Sequence, residues 1–185
     1  MAARRRAGRP KQTKAAATRR FTVDASVFVN AFNPHERGHV ASLAFLTAIL
    51  QRGDPIIVPA LLLVEIASAI SRATDYTDGA LAYAQSIEGL PHVSLIPLTL
   101  ALARQAANLA ATLRLRGADA VYVSVARRYG TMLVSRDREQ RTRGAAAVTC
   151  RTPEAAFDGS ATAPVAHDQP KRRARPSPRR ARITR

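Results

Sequence analysis

Two kinds of hydrophobic pattern alternate along the middle of the chain. Short, nearly continuous apolar runs predict buried strands of a parallel sheet, because strands covered on both faces need no polar side. Between them, apolar residues recur every third or fourth position, which predicts helices. The predicted strands are 21–23, 56–58, 93–96 and 131–134, with a further short strand at 147–149. The predicted helices are 24–32 (a turn leading into a helix), 39–52, 59–73, 77–88, 99–116 and 119–129.

This alternation predicts an α/β domain with a short central parallel sheet and helices on both faces. A solenoid is excluded because no repeat of 20–50 residues is visible. The longest apolar run, Pro55–Ile70, contains Pro59 and Glu65 and falls short of the ~20 apolar residues that a membrane helix needs. We therefore expect no membrane association.

The charge is unevenly distributed along the chain. The 185 residues carry 29 basic and 13 acidic side chains, a net charge of +16. Residues 1–20 hold eight basic residues and no acid, and 159–185 hold eight basic residues and one acid, which leaves a nearly neutral middle. We predict a disordered basic arm at 1–20, a folded domain at 21–158 and a disordered Pro/Arg-rich tail at 159–185. This argues against a basic globular protein of the histone or ribosomal type, whereas the arms suit a polyanion.

Composition and local motifs exclude some kinds of site and indicate the cellular compartment. The single cysteine, Cys150, excludes an internal disulfide, and the four scattered histidines exclude a Cys/His zinc cluster. Arg19 and Arg20 resemble the start of a twin-arginine export signal, but Asp24 interrupts the apolar segment that such a signal requires. We therefore predict a cytoplasmic protein.

Four carboxylates occupy positions where this kind of sheet binds ligands. Asp24 follows the first strand, Asp137 follows the strand 131–134, Asp119 opens a helix, and Glu65 lies in the helix after strand 56–58. Ligands of open parallel sheets bind beyond the carboxyl ends of the strands.

Each of these carboxylates also has a purely structural interpretation. Asp24 and Asp119 could be helix N-caps, and Asp137 could be a turn residue. Glu65 is harder to explain, because its helix is apolar and no basic residue lies three or four positions away. Such a carboxylate needs a cation or a surface position.

A shared acidic cleft would call for a divalent cation. Clustered carboxylates raise one another's pKa, and Mg²⁺ or Mn²⁺ relieves that repulsion through oxygen ligands. A bound ion of this kind can activate water and stabilise charge on a phosphate. The implied reaction is phosphodiester hydrolysis, which agrees with basic arms that attract a polyanion.

The motifs around these carboxylates resemble those of the PIN-domain nucleases and, more narrowly, the VapC-type toxins of bacterial toxin–antitoxin pairs. The resemblance covers about 20–157 and is carried by the segments Val23–Val29, Ala118–Ala120 and Leu133–Asp137 together with Glu65. It implies a PIN-like fold and a Mg²⁺- or Mn²⁺-dependent endoribonuclease, often dimeric, whose site a small antitoxin blocks. The residues that it implies as catalytic and metal-binding are Asp24, Glu65, Asp119 and Asp137.

The same resemblance implies supporting roles for two hydroxyl groups. Ser26 and Ser135 would hydrogen-bond the carboxylates or a metal-bound water. Separately, Arg136 and Arg138 bracket Asp137 and are candidates for binding a phosphate.

Several other functions fit the sequence less well than a PIN-like nuclease does. An RNase H-like nuclease would open with antiparallel hairpins, for which no turn signal is present. A haloacid-dehalogenase-type phosphatase needs an acid two residues after its aspartate, where this chain has Ser26. A protein bound to anionic membranes is disfavoured, because the arms lack large apolar residues. A non-catalytic nucleic-acid-binding protein that uses its basic arms is the main alternative.

Overall fold

Five strands and eight helices alternate along residues 19–157, the part of the chain that the computed structural model describes. The strands are β1 (Phe21–Val23), β2 (Ile56–Pro59), β3 (Val93–Ile96), β4 (Met132–Val134) and β5 (Cys150–Arg151). The helices are α1 (Ala25–Phe32), α2 (His39–Gln51), α3 (Leu61–Thr74), α4 (Thr77–Glu88), α5 (Leu100–Leu113), α6 (Gly117–Tyr129), α7 (Arg138–Gly144) and α8 (Pro153–Ala156).

The strands form one parallel sheet in the order β3-β2-β1-β4-β5. In the central strand β1, Phe21 is in register with Ile56 of β2 on one side and with Met132 of β4 on the other. The chain runs outward from β1 to β2 and β3, and then returns past β1 to β4 and β5. This reversal creates a switch point between the carboxyl ends of β1 and β4, where open α/β sheets bind ligands.

Helices cover both faces of the sheet, as the sequence predicted. Crossovers between parallel strands are right-handed, so connections that run in opposite directions cover opposite faces. α1 packs against α2 and α3, and α3 packs against α4. α6 lies across β1, β2 and β4 and packs against α5. The α/β fold class is therefore confirmed.

The hydrophobic core lies between the sheet and these helices. The inward-facing strand residues Phe21, Val23, Ile56 and Val58 are at most 1% exposed. Phe45 of α2 packs edge-on against Phe21, with 5.4 Å between the ring centroids. Full burial of such side chains contributes about 1.5–3 kcal/mol each, which rigidly fixes the strand ends that carry the site.

The structure corrects several predicted boundaries. The last strand is Cys150–Arg151 rather than 147–149, because its register is set by pairing of Cys150 with Leu133 of β4. The helix predicted over 99–116 ends at Leu113, since Arg114 adopts a left-handed conformation with φ of 53°. α7 and α8 were not predicted. They are short, and α7 has the polar sequence REQRTRG without apolar periodicity.

The predicted arms at 1–20 and 159–185 lie outside the described residues, apart from Arg19 and Arg20. Their disorder and the domain boundaries built on it stay predictions. Within residues 19–157, no helix is both long enough and apolar enough to cross a membrane.

Candidate active site

Asp24 and Asp137 lie at the switch point of the sheet. Asp24 directly follows β1 and caps α1, where its Oδ1 accepts a hydrogen bond of 3.0 Å from the backbone N–H of Ser26. Asp137 follows β4 and caps α7, where its Oδ1 accepts a 3.0 Å bond from the backbone N–H of Gln140. Both carboxylates do cap helices, and the same caps hold them at the carboxyl edge of adjacent strands.

Glu65 and Asp119 reach the same region from α3 and α6. Glu65 Oε2 accepts a 2.7 Å hydrogen bond from the hydroxyl of Tyr122. Asp119 is the third residue of α6, whose N-cap is Arg116, so the interpretation of Asp119 as an N-cap is wrong. Asp119 Oδ2 is buried and has no hydrogen-bond partner within the described structure.

The electrostatics show that these carboxylates influence one another. The pKa of Asp119 is raised to about 6, mainly by burial and then by the nearby carboxylates of Asp24 and Asp137, against the opposing charge of Arg116. Burial also raises the pKa of Glu65. Its hydrogen bond from Tyr122 opposes this shift, and the charges of Asp24 and Asp119 add to it. Each of the four predicted site residues therefore interacts electrostatically with at least one of the others, and together they are called the acidic group below.

Little positive charge compensates this acidic group. Arg116 Nη1 lies 3.6 Å from Asp137 Oδ2, but the Arg116 side chain is 69% exposed and also pairs with Glu139. Ion pairs this exposed contribute about 0–1 kcal/mol. Among residues 19–157, the other three carboxylates of the group make no ion pair.

Neutral donors hold Asp24 instead. The Ser135 hydroxyl donates to Asp24 Oδ1 at 3.4 Å, and the Gln140 amide donates to Oδ2 at 3.1 Å. Gln140 is fully buried, as is Ser135. The Ser135 oxygen also accepts a 3.0 Å bond from the backbone N–H of Asp137, which ties the loop after β4 to the carboxylate that follows β1.

The other predicted polar residues lie around this group. The Ser26 hydroxyl accepts a 3.0 Å bond from the backbone N–H of Arg136 and so links the start of α1 to the loop after β4. The Arg136 guanidinium pairs with Glu154, with 2.8 Å between Nη1 and Oε1, rather than with a carboxylate of the acidic group. Arg138 is exposed at the first residue of α7.

A family model described as "PIN domain" matches residues 21–145. This chain belongs to the PIN-domain family. No curated protein matches this PIN-domain chain by sequence. Its family membership agrees with the resemblance that the sequence motifs carried.

Several solved structures share this fold. VapC20 of Mycobacterium tuberculosis, described as a sarcin-ricin-loop-cleaving toxin, superposes with a TM-score of 0.57 and 18% identity, over 67% of this chain and 95% of that one. VapBC2 of Rickettsia felis, bound to a DNA fragment from its promoter, superposes with a TM-score of 0.55 and 13% identity, over 71% of this chain and 97% of that one. FitAcB of Neisseria gonorrhoeae superposes with a TM-score of 0.53 and 17% identity, over 72% of this chain and 97% of that one. At these identities the likeness shows the shared fold.

The acidic group of this PIN domain offers the donors that a hard divalent cation prefers. Its potential ligands are carboxylate oxygens, and one of them, Asp119 Oδ2, is buried without a partner. Within the described residues, no three acidic, histidine or cysteine side chains converge closely enough to ligate one ion. Mg²⁺ usually binds through one or two carboxylates and several waters, so a largely hydrated ion does not require three converging side chains.

Two buried residues of this site were not predicted from the sequence. The side chain of Tyr122 is fully buried, and its hydroxyl donates a hydrogen bond to Glu65. Its position three residues after Asp119, on the same helix face, could have indicated this role. Gln140 lies in a polar segment that gave no sign of burial.

Proposed function

We propose that this chain is a divalent-metal-dependent endoribonuclease and the toxin of a toxin–antitoxin pair. The observation that carries the proposal is the acidic group at the switch point of a PIN fold, in which Asp24, Glu65 and Asp119 have no cationic partner within residues 19–157. The shared fold with VapC20, a sarcin-ricin-loop-cleaving toxin, supports the same activity.

Asp24, Glu65, Asp119 and Asp137 would hold Mg²⁺ or Mn²⁺, one or two of them as direct ligands and the others through bound water. A bound ion would supply Lewis-acid chemistry, which activates water as a nucleophile and stabilises negative charge on a phosphate. The chain's own part is to place the carboxylates. The caps at Asp24 and Asp137 fix two of them at the strand ends, and burial keeps the site in surroundings where electrostatic interactions are strong.

The polar residues around the group would orient the RNA and support the carboxylates. Ser135 supports Asp24 directly, while Ser26 holds the adjacent loop through the backbone of Arg136. Arg138 is the better placed of the two candidate phosphate ligands, because its side chain is exposed whereas Arg136 already pairs with Glu154.

The proposed partners follow from the toxin assignment. VapBC2 has been solved with promoter DNA, and FitAcB is a further neighbour in fold. We propose that a small antitoxin blocks the acidic group of this chain, that the toxin forms a homodimer, and that it acts on RNA in the cytoplasm.

Overexpression in cells tests the toxin role. If a protein shown to cleave RNA is harmless when overexpressed, the toxin role is contradicted and the nuclease role is not affected.

Cleavage of RNA tests the nuclease proposal directly. The full-length protein is incubated with structured and unstructured RNAs in Mg²⁺, Mn²⁺ or EDTA, beside Asp24→Asn and the control Asp78→Asn, whose carboxylate is exposed on α4. We expect cleavage only with metal, a loss of at least ~10²-fold in Asp24→Asn, and no change in Asp78→Asn. Cleavage that persists in EDTA or in Asp24→Asn would refute the metal mechanism.

The concentration of basic residues in 1–20 and 159–185 favours one second candidate, a non-catalytic nucleic-acid-binding protein. A chain trimmed to residues 19–158 separates the two. The nuclease proposal expects metal-dependent cleavage to remain in the trimmed chain. The alternative expects no cleavage by either chain and a loss of nucleic-acid binding on trimming.

A further inference from the structure

Two carboxylates outside the acidic group have arginine partners, whereas two inside it are held by neutral donors. Asp54 pairs with Arg52 at 2.7 Å, and Glu154 pairs with Arg136 at 2.8 Å. Asp24 and Glu65 instead accept hydrogen bonds from an amide and a phenol.

We propose that Tyr122 and Gln140 are positioning residues, which hold Glu65 and Asp24 in place for a divalent cation while leaving their negative charge uncompensated. This inference rests on the proposed function. A neutral donor restricts the orientation of a carboxylate as an arginine would, but it adds no charge that competes with the incoming cation.

Tyr122 is built to hold one oxygen of Glu65. Its side chain is fully buried, so the ring is fixed by the core, and its hydroxyl lies 2.7 Å from Glu65 Oε2. The two residues belong to α6 and α3, which reach the site from separate parts of the chain. Glu65 has three rotatable side-chain bonds, and this hydrogen bond selects among its rotamers.

Gln140 contacts two carboxylates of the group. Its side-chain amide donates to Asp24 Oδ2, and its backbone N–H donates to Asp137 Oδ1. Since Asp24 Oδ1 accepts from the backbone of Ser26, the Asp24 carboxylate is held at both oxygens. Gln140 Oε1 is buried without a hydrogen-bond partner among residues 19–157, which is unfavourable for folding, so packing alone does not explain a glutamine at this position.

Manganese binding tests the role of Tyr122 without measuring cleavage. Titration of the full-length protein with Mn²⁺ compares the unsubstituted chain with Tyr122→Phe and with Tyr83→Phe. Tyr83 is a matched control, since its hydroxyl donates to the backbone oxygen of Phe28 at 3.1 Å, outside the acidic group. We expect Tyr122→Phe to weaken Mn²⁺ affinity by about 10–100-fold, as loss of an outer partner does at other metal sites, and Tyr83→Phe to leave it unchanged.

The outcomes of this titration separate the inference from the proposed function. Tyr122→Phe that melts cooperatively and binds Mn²⁺ as tightly as the unsubstituted chain overturns the inference alone. An unsubstituted chain that binds no Mn²⁺ overturns the proposed metal centre and the inference with it.

A double-variant cycle tests whether Tyr122 acts through Glu65. We expect Glu65→Gln with Tyr122→Phe to bind Mn²⁺ no more weakly than Glu65→Gln alone, because both changes remove the same interaction. If the double variant instead loses Mn²⁺ affinity by the product of the two single-variant factors, the inference is overturned, because Tyr122 then acts independently of Glu65.

Gln140→Leu provides a second test, which decides the matter if Tyr122→Phe does not fold. We expect it to weaken Mn²⁺ binding by about 10-fold or more. The matched control is Asn30→Leu, which removes a buried amide that donates to the backbone oxygen of Arg37. Equal Mn²⁺ affinities in the folded Gln140→Leu and Asn30→Leu variants would overturn the role of Gln140.

Discussion

Asp119 opposes folding at neutral pH when no metal is bound. Its pKa is raised from 3.8 to about 6, first because burial removes the carboxylate from water and then because Asp24 and Asp137 are nearby. The folded state therefore binds this proton more tightly than the unfolded state does. By linkage, the contribution of Asp119 to stability is most favourable below pH 4 and is lost as the pH rises from about 4 to about 6.

We therefore expect Asp119→Asn to be more stable than the unsubstituted chain in EDTA at pH 7, by on the order of 1–2 kcal/mol once solvent screening of this half-exposed carboxylate is allowed for. The favourable interaction of a charged Asp119 with the α6 dipole, about 0.3–1 kcal/mol, reduces this gain. The difference should shrink towards pH 4. Urea denaturation at pH 4, 5, 6 and 7 measures it, and an equal difference at every pH would contradict the prediction.

Asp137→Asn serves as the control for that series. Asp137 caps α7 and lies 3.6 Å from Arg116, so neutralising it removes a favourable contact as well as repulsion. We expect no comparable gain in stability from Asp137→Asn.

A bound metal ion should make the unsubstituted chain more stable than it is in EDTA. An ion that binds only the folded state stabilises it by about 2.7 kcal/mol at a hundredfold excess over its dissociation constant. We expect Mn²⁺ to raise the melting temperature of the unsubstituted chain and to raise that of Asp119→Asn by less. Parallel melting curves with EDTA and with Mn²⁺ check this. Equal shifts in the two proteins would argue that Asp119 does not contact the ion.

The placement of the four carboxylates could be predicted from sequence, but their partners could not. Asp24 and Asp137 follow strands, and a parallel sheet brings such positions to one edge. The bond between Tyr122 and Glu65 depends on where the sheet places α3 and α6 relative to each other, which local sequence does not determine. The catalytic role of the group stays a prediction.

At the scale of elements, α7 connects the acidic site to the edge of the sheet. Its N-cap is Asp137, and its last residue, Gly144, packs closely against α6 and β5. A Cβ atom at Gly144 would lie 3.1 Å from Val123 Cγ2 and 3.3 Å from Cys150 Sγ. Both neighbours are buried and have little room to move.

Gly144→Ala should therefore destabilise the fold, by about 1–3 kcal/mol as overpacked cores do. Gly117→Ala is the matched comparison, because a Cβ there meets nothing within 4 Å and the residue begins α6. We expect Gly117→Ala to be neutral or stabilising by up to about 1 kcal/mol. Chemical denaturation in EDTA measures both, and a stable Gly144→Ala would show that the junction of α7 and β5 adapts.

Elements with a strong hydrophobic pattern were predicted well, and polar ones were missed. Strands 21–23 and 93–96 match β1 and β3, since their apolar runs have no competing periodicity. α7 consists mainly of charged residues and is defined by its cap and by its contacts with β5 and α6. Such a helix is stabilised by tertiary structure, which a single sequence does not reveal.

At the scale of the whole molecule, the two ends of the described chain meet. Arg19 Nη1 donates a 3.3 Å hydrogen bond to the backbone oxygen of Ala156, across 137 positions of sequence. The basic segments 1–20 and 159–185 therefore join the folded part at neighbouring points. A polyanion that one segment binds would lie within reach of the other.

This junction leads to a prediction about salt dependence. The two segments hold eight basic residues each, and every phosphate contact that they make releases counterions. We expect the full chain to bind RNA with a steep negative slope of log affinity against log salt, and a chain trimmed to 19–158 to bind with a much shallower slope. The trimmed chain begins at Arg19 so that its bond to Ala156 is retained. Chains lacking only one segment serve as controls and should give intermediate slopes. Identical slopes for the full and trimmed chains would mean that RNA is bound by the folded domain alone.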